Sequence, residues 1–189
     1  MELEDLVLVA SRFVEDTVRE FHAQKEIART PYGVDLEFWT PAAASEPCGP
    51  LRFIYAGQVS VRKGVPLLKG VPLLIDAWEK AALKDSWQLA ETKWRSLPSR
   101  VKWLPPCSPY ALRELYRYSD IIVFPTFSDG FGLVLLEGMA CGLPAIASEA
   151  SRGPEVITPD CGRILPNGEL DCLVELLRWF DRTDTKFPK

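Results

Sequence analysis

Histidine is nearly absent from this 189-residue chain, with His22 the only one, and no H-E-x-x-H or Cys/His cluster exists to hold a catalytic metal. No structural zinc or other metal is therefore expected. The five cysteines, Cys48, Cys107, Cys141, Cys161 and Cys172, are odd in number and include no C-x-x-C pair, so they read as reduced thiols of a cytoplasmic protein. Long apolar runs are lacking too. The longest near the start, Leu6 to Ala10, is far too short to span a bilayer, and no basic region precedes it to make a signal peptide. There is no G-x-G-x-x-G and no Walker loop, which removes support for a dehydrogenase or a P-loop nucleotidase. Positive charge is not in excess: the net charge is −4 and the sequence pI about 5.2, which argues against nucleic acid as a partner.

What is present is enough to build a core. Hydrophobic residues make up 47% of the chain, and buried-looking apolar segments alternate with amphipathic ones, as in one α/β domain with a doubly wound parallel sheet. Strands are expected at Asp5 to Ala10, 27–30, Leu51 to Ala56, Arg100 to Leu104, Ile121 to Phe124, Ala145 to Ala147 and Gly162 to Leu165. Helices are expected at Arg12 to Ala23, Gln88 to Leu97, Tyr110 to Tyr118, Leu133 to Gly142 and Glu169 to Phe180. Two features disturb the alternation. The hexapeptide K-G-V-P-L-L occurs twice in succession, at Lys63 to Leu68 and Lys69 to Leu74. Proline suits the first turn of a helix, so the helix is expected to begin at the second copy and carry Leu73, Leu74, Ala77, Trp78 and Ala81 inward. After it, Ser86-Trp87-Gln88-Leu89 is not an apolar run, and a missing strand would leave a gap or a rearranged edge.

The stretch T-F-S-D-G-F-G-L-V-L-L-E-G-M-A-C-G, from Thr126 to Gly142, organises the rest. A strand passes through a turn holding Gly130 and Gly132 into an apolar helix whose one charged side chain is Glu137. A carboxylate among Leu135, Leu136 and Met139 needs a partner or a polar cavity. Either Glu137 lies on a wet stripe of the helix, or the turn and the helix start receive an anionic, hydroxylated ligand, with Asp129 and Glu137 accepting from hydroxyls.

Asp129-Gly-Phe-Gly-Leu133, Glu137 and Met139-Ala-Cys-Gly-Leu-Pro144 resemble the donor-site signature of the retaining GT-B glycosyltransferases of the family-four type. The family usually has glutamate where Asp129 stands, which shortens the reach by a methylene. Gly57-Gln-Val-Ser-Val-Arg-Lys-Gly64 resembles the family's Gly-Arg…Lys-Gly loop, and Ser151-Arg-Gly-Pro-Glu155 its later glycine-rich loop. The resemblance implies a Rossmann-like half of a GT-B enzyme, with residues 51–180 binding a nucleoside-diphosphate sugar. Residues 1–39 would be a remnant of the acceptor-side domain and hinge, 40–50 a connector and 181–189 a polar tail. It further implies that Arg62 and Lys63 hold the diphosphate together with Gly57, Gly130 and Gly132. Asp129 would touch the sugar, Phe131, Gly132 and Leu133 would give backbone contacts, and Glu137 would hold the ribose. No metal and no cofactor beyond the sugar donor are implied, and the acceptor is open, as is peripheral membrane contact of a full enzyme. The competing reading is a non-catalytic nucleotide- or sugar-binding module, or an inactive fragment.

Overall fold

The computed structural model describes residues 6–43, 50–57, 70–81, 86–90, 101–166 and 169–182. The chain runs β1 (Leu6–Val9), α1 (Arg12–Phe21), β2 (Glu26–Arg29), β3 (Arg52–Tyr55), α2 (Gly70–Ala81), β4 (Ser86–Ala90), β5 (Val101–Leu104), α3 (Pro109–Tyr118), β6 (Ile121–Phe124), α4 (Leu133–Ala140), β7 (Ala145–Ser148), α5 (Gly153–Val156), β8 (Gly162–Leu165) and α6 (Leu170–Arg182).

Six strands form one sheet in the order β5-β4-β3-β6-β7-β8, every neighbouring pair parallel. Winding starts at β3, proceeds outward through β4 and β5, then returns to the other side of β3 for β6, β7 and β8. This is the doubly wound arrangement, and its switch point lies between β3 and β6, where the register pairs Phe53 with Ile121 and Ile54 with Ile122. Right-handed crossovers put α2 on one face and α3 and α4 on the other. Accordingly α2 packs against α6, and α3 against α4. The central strands are apolar without alternation, Phe53-Ile54-Tyr55 and Ile121-Ile122-Val123-Phe124, because a parallel sheet is covered on both faces.

The expected gap is not there. β4 occupies the place between β3 and β5, pairing Ile54 with Gln88 and Leu89 with Trp103, so the sheet lacks no strand, and Gln88–Ala90 is strand where a helix was expected. Ladder hydrogen bonds on both sides supply what a short, polar-interrupted segment lacks in side-chain signal. The rest of that expected helix lies outside the described residues.

Helix α2 begins at Gly70 in the second hexapeptide, with Pro72 in the first turn where its missing N–H is harmless. Leu74, Ala77, Trp78 and Ala81 are buried, and Leu73 packs at their edge. Arg178 on α6 donates to the carbonyls of Lys80 (2.7 Å) and Ala81 (3.4 Å), satisfying the end of α2. The first hexapeptide copy lies outside the described residues. Helix α3 starts at Ser108, whose hydroxyl accepts from the Ala111 amide, with Pro109 at the first position.

Strands β1 and β2 make a separate two-stranded parallel sheet carrying α1. β1 is not the buried strand its sequence suggests: Leu6 and Leu8 remain 51% and 64% exposed, and Phe21 on α1 is 72% exposed. A strand with one neighbour and one helix is covered incompletely. Ser151–Glu155 is likewise not all loop, since α5 begins at Gly153.

Candidate functional site

The carboxyl ends of β3 and β6, either side of the switch point, bring Gly57 and the Thr126–Gly132 turn into one crevice. On the β6 side, Gly132 adopts φ +64° as the N-cap of α4, a left-handed conformation that costs an L side chain about 1–2 kcal/mol. A Cβ there would also sit 3.1 Å from the Phe124 ring. The turn is held from within. Asp129 Oδ1 accepts from the amides of Phe131 (3.0 Å) and Gly132 (2.7 Å), so one carboxylate oxygen is committed to backbone before any ligand arrives. The amides that begin α4 at Leu133 and Val134 have no partner within the helix, as at any helix start.

On the β3 side, Tyr55 is buried and stacked on Phe124 at 6.4 Å with 19° between the planes. Its hydroxyl lies 2.8 Å from where a Cβ on Gly57 would be, so a side chain there would have to displace the buried phenol. Burial, and after it the nearby Asp129 carboxylate, push the Tyr55 phenol up to about 12. The Asp129 carboxylate is thus close enough to Tyr55 for its charge to be felt.

Glu137 lies one turn inside α4, half-buried. Burial raises its carboxyl above the ordinary value. Glu137 stands near the fully buried Tyr116, whose hydroxyl donates to Val134 O at 3.1 Å, and near Cys141, whose thiol burial pushes up to about 11. No cation among the described residues forms an ion pair with Glu137. Arg62 and Lys63 lie outside the described residues. His22 is the exposed C-cap of α1, away from this crevice in sequence and role.

A third loop, after β7, was legible only as glycine-bearing, yet it braces the turn. Ser148 donates through Oγ to Thr126 O, the Asp129 amide donates to Ala150 O at 3.1 Å, and Ser151 Oγ accepts from Gly153 N at 3.0 Å. Residues before β3 complete the rim. Ser11 Oγ donates to Gly130 O at 2.5 Å, and Glu155 Oε1 accepts from the Arg12 amide at 2.8 Å. The Tyr32 ring meets Phe131 edge-on at 4.8 Å, and the Arg152 guanidinium covers the same Phe131 ring at 4.4 Å. Tyr55, Ser11, Tyr32 and Arg152 were not read as site residues, because only the folded chain brings them to the turn.

Among the described residues, no three His, Cys, Asp or Glu side chains are grouped as metal ligands would be. The four described cysteines, Cys107, Cys141, Cys161 and Cys172, are free thiols. No described helix is long and apolar enough to cross a membrane.

Comparison with known proteins identifies the family and the fold. The family model described as glycosyl transferases group 1 matches residues 46–184. A D-inositol 3-phosphate glycosyltransferase of Xylanimonas cellulosilytica is 27% identical over 207 residues, covering 93% of this chain and 46% of that protein. The enzyme of the same name from Mycobacteroides abscessus is 33% identical over 147 residues, 66% of this chain and 32% of that protein. The chain thus spans less than half the length of the curated relatives it matches. Among solved structures, sucrose-phosphate synthase from Thermosynechococcus elongatus superimposes with a TM-score of 0.77 at 23% identity, over 93% of this chain and 49% of that one. Anabaena HepE, solved with UDP and glucose, superimposes with a TM-score of 0.78 at 17% identity, over 97% of this chain and 55% of that one. The chain belongs to the glycosyl transferases group 1 family, and its six-stranded sheet is a Rossmann-like half of the GT-B fold.

Proposed function

We propose that this chain is the donor-binding half of a retaining glycosyltransferase, moving a hexose-type sugar from a nucleoside diphosphate to an acceptor. One observation carries the proposal: the Asp129–Gly132 turn and Gly57 follow the carboxyl ends of the neighbouring strands β6 and β3, at the switch point where open α/β sheets receive nucleotides. The diphosphate would approach the first amides of α4, with Arg62 and Lys63 as its cations. Asp129 keeps the amides of Phe131 and Gly132 aligned and offers its second oxygen to the sugar. Glu137, half-buried and without an ion-pair partner among the described residues, would accept from the ribose hydroxyls. Transfer would break the bond between the anomeric carbon and the diphosphate. Positive charge grows on the sugar while the leaving group becomes more anionic, so cations and helix amides stabilise the departing diphosphate. The new bond would form on the face the nucleotide left.

The HepE structures bound to UDP and UDP-glucose support uridine as the base, and the names of the curated relatives support a phosphorylated polyol as acceptor. Residues 1–39 would belong to the acceptor-side domain, residues 40–50 would connect it to the donor domain at 51–180, and 181–189 would be a tail. The exposed Leu6 and Leu8 on a sheet of only two strands favour that assignment. They also favour binding without turnover in this chain by itself.

Thermal unfolding with UDP, GDP, ADP and UDP-glucose tests the reading. A ligand at about a hundred times its dissociation constant stabilises by roughly 2.7 kcal/mol, a shift of several degrees. A shift with UDP or UDP-glucose that disappears in Lys63→Ala or Glu137→Ala supports it. A cooperative transition that no nucleotide moves overturns it. The proposal includes no metal, and a shift abolished by EDTA would correct that part.

A further inference from the structure

Arg152 is the one described residue with a buried side-chain nitrogen that meets no hydrogen-bond acceptor: its Nε is enclosed and unpaired. Its guanidinium carbon lies over the Phe131 ring, 4.4 Å from the centroid, and Nη1 reaches Tyr32 O only at 3.5 Å, the outer limit of a hydrogen bond. No carboxylate among the described residues pairs with it. Glu155, three residues on, is engaged by the Arg12 amide and by Arg29, and Asp129 holds the turn amides. A half-buried guanidinium without a counter-charge is unfavourable unless something else supplies one.

With Nη1 turned to Tyr32, the edge formed by Nε and Nη2 is left without acceptors. That edge is the side-on fork with which arginine holds two oxygens of a phosphate or carboxylate. The resting position surrenders only one marginal bond when the fork turns toward an anion, and the cation–π contact with Phe131 holds the group beside the turn. Position decides which anion. Arg152 follows β7, one strand beyond the switch point, and it packs toward Tyr32 in the chain preceding β3. Gly57 follows β3 on the other side of the Asp129 turn, and Arg62 and Lys63 come after it in the sequence.

The geometry points to Arg152 as a subsite for an anionic group carried by the acceptor, a phosphate monoester or a carboxylate, separate from the donor diphosphate. This rests on the donor reading for which side of the turn is which.

The test uses the full chain as wild type, Arg152→Gln and Arg152→Lys, titrated without nucleotide. The probes are D-inositol 3-phosphate, myo-inositol, glucuronate and inorganic phosphate, followed by calorimetry and by the arginine side-chain N–H resonances. UDP is titrated separately. Wild type is expected to bind inositol 3-phosphate or glucuronate at least tenfold tighter than myo-inositol, and whichever of the two binds names the anion. Arg152→Gln abolishes that preference, Arg152→Lys retains part of it, and UDP affinity stays within twofold throughout. Equal binding of charged and neutral polyols by wild type overturns the inference, as does an anion preference untouched by Arg152→Gln. A parallel loss of UDP affinity would assign Arg152 to the donor and overturn it as well. If UDP binds no form while the anion preference holds and depends on Arg152, the donor reading falls and the anion subsite stands.

Discussion

Arg52 meets Asp120 side-on, Nε to Oδ2 at 2.9 Å and Nη2 to Oδ1 at 3.0 Å, and Asp120 Oδ2 also accepts the Arg52 amide at 2.8 Å. The Asp120 amide returns a bond to Arg52 O. Donating to Asp120 raises the Arg52 guanidinium above its ordinary value. This lock closes the amino ends of the two strands whose carboxyl ends form the crevice. Asp120→Ala should cost about 1–3 kcal/mol, because it strands both an amide and a guanidinium. Asp120→Asn should recover part of the loss. Chemical denaturation reads the change, and a cost below about 0.5 kcal/mol would mean the pair behaves as an ordinary surface ion pair.

Gly132→Ala should lower the melting temperature by several degrees, since the left-handed φ alone costs about 1–2 kcal/mol and 1 kcal/mol moves a domain of this size by about 2–4 °C. The nucleotide-induced shift should fall further than stability does. Gly33→Ala is the control, because a Cβ there meets nothing within 4 Å. Equal behaviour of the two variants would remove the argument from this turn.

Glu137→Gln should stabilise the chain at neutral pH while weakening nucleotide binding. Burial raises the folded carboxyl above its unfolded value of 4.5, so the native state binds the proton more readily. Stability is then greatest below the unfolded value and is lost as pH rises through the folded one. The gain from the amide should be below about 1 kcal/mol, because half the group is hydrated, and it should fade toward pH 4. Melting curves from pH 4 to 8 decide it: a variant less stable at pH 7 would mean the carboxylate has a stabilising partner.

Gly162→Ala should destabilise by about 1–3 kcal/mol or more, the range for forcing volume into a packed site. A Cβ at Gly162 would lie 2.1 Å from Ala145 O, and a backbone atom cannot swing aside as a side chain can. The damage should concentrate in the β7–β8 ladder, where hydrogen exchange of the Ala145 and Glu149 amides reports it. Slow exchange at those amides in the variant would contradict the close approach.

Much of the frame was legible because its strands are fully covered. Ile121–Phe124 and Ala145–Ala147 read as strands from unbroken apolar character alone, and the amphipathic α6 from its period. Ser86–Ala90 was missed because Ser86 and Gln88 interrupt it and its strand state comes from two neighbours. In the site, glycines and acids were legible as residue types, but not their alignment. That Asp129 spends an oxygen on two amides follows from a turn only the folded chain shows. Contacts such as Ser11 with Gly130, 119 residues apart, and Arg152 with Tyr32, 120 apart, leave no local pattern to read.

The lock at β3 and β6 joins residues 68 positions apart, the step at which the sheet reverses its direction of winding. Closing a loop of that length carries an entropic cost that grows with the logarithm of its size. The halves β3–β5 and β6–β8 are each threaded by consecutive connections, and the seam between them is held by the β3–β6 ladder, the Arg52–Asp120 lock and the packing of α2 on α6. A molecule bridging the carboxyl ends of β3 and β6 therefore acts as a staple across two half-sheets. Occupancy of the crevice would then add to the cohesion of the domain, and two pieces cut between β5 and α3 should reassociate more tightly with nucleotide than without it.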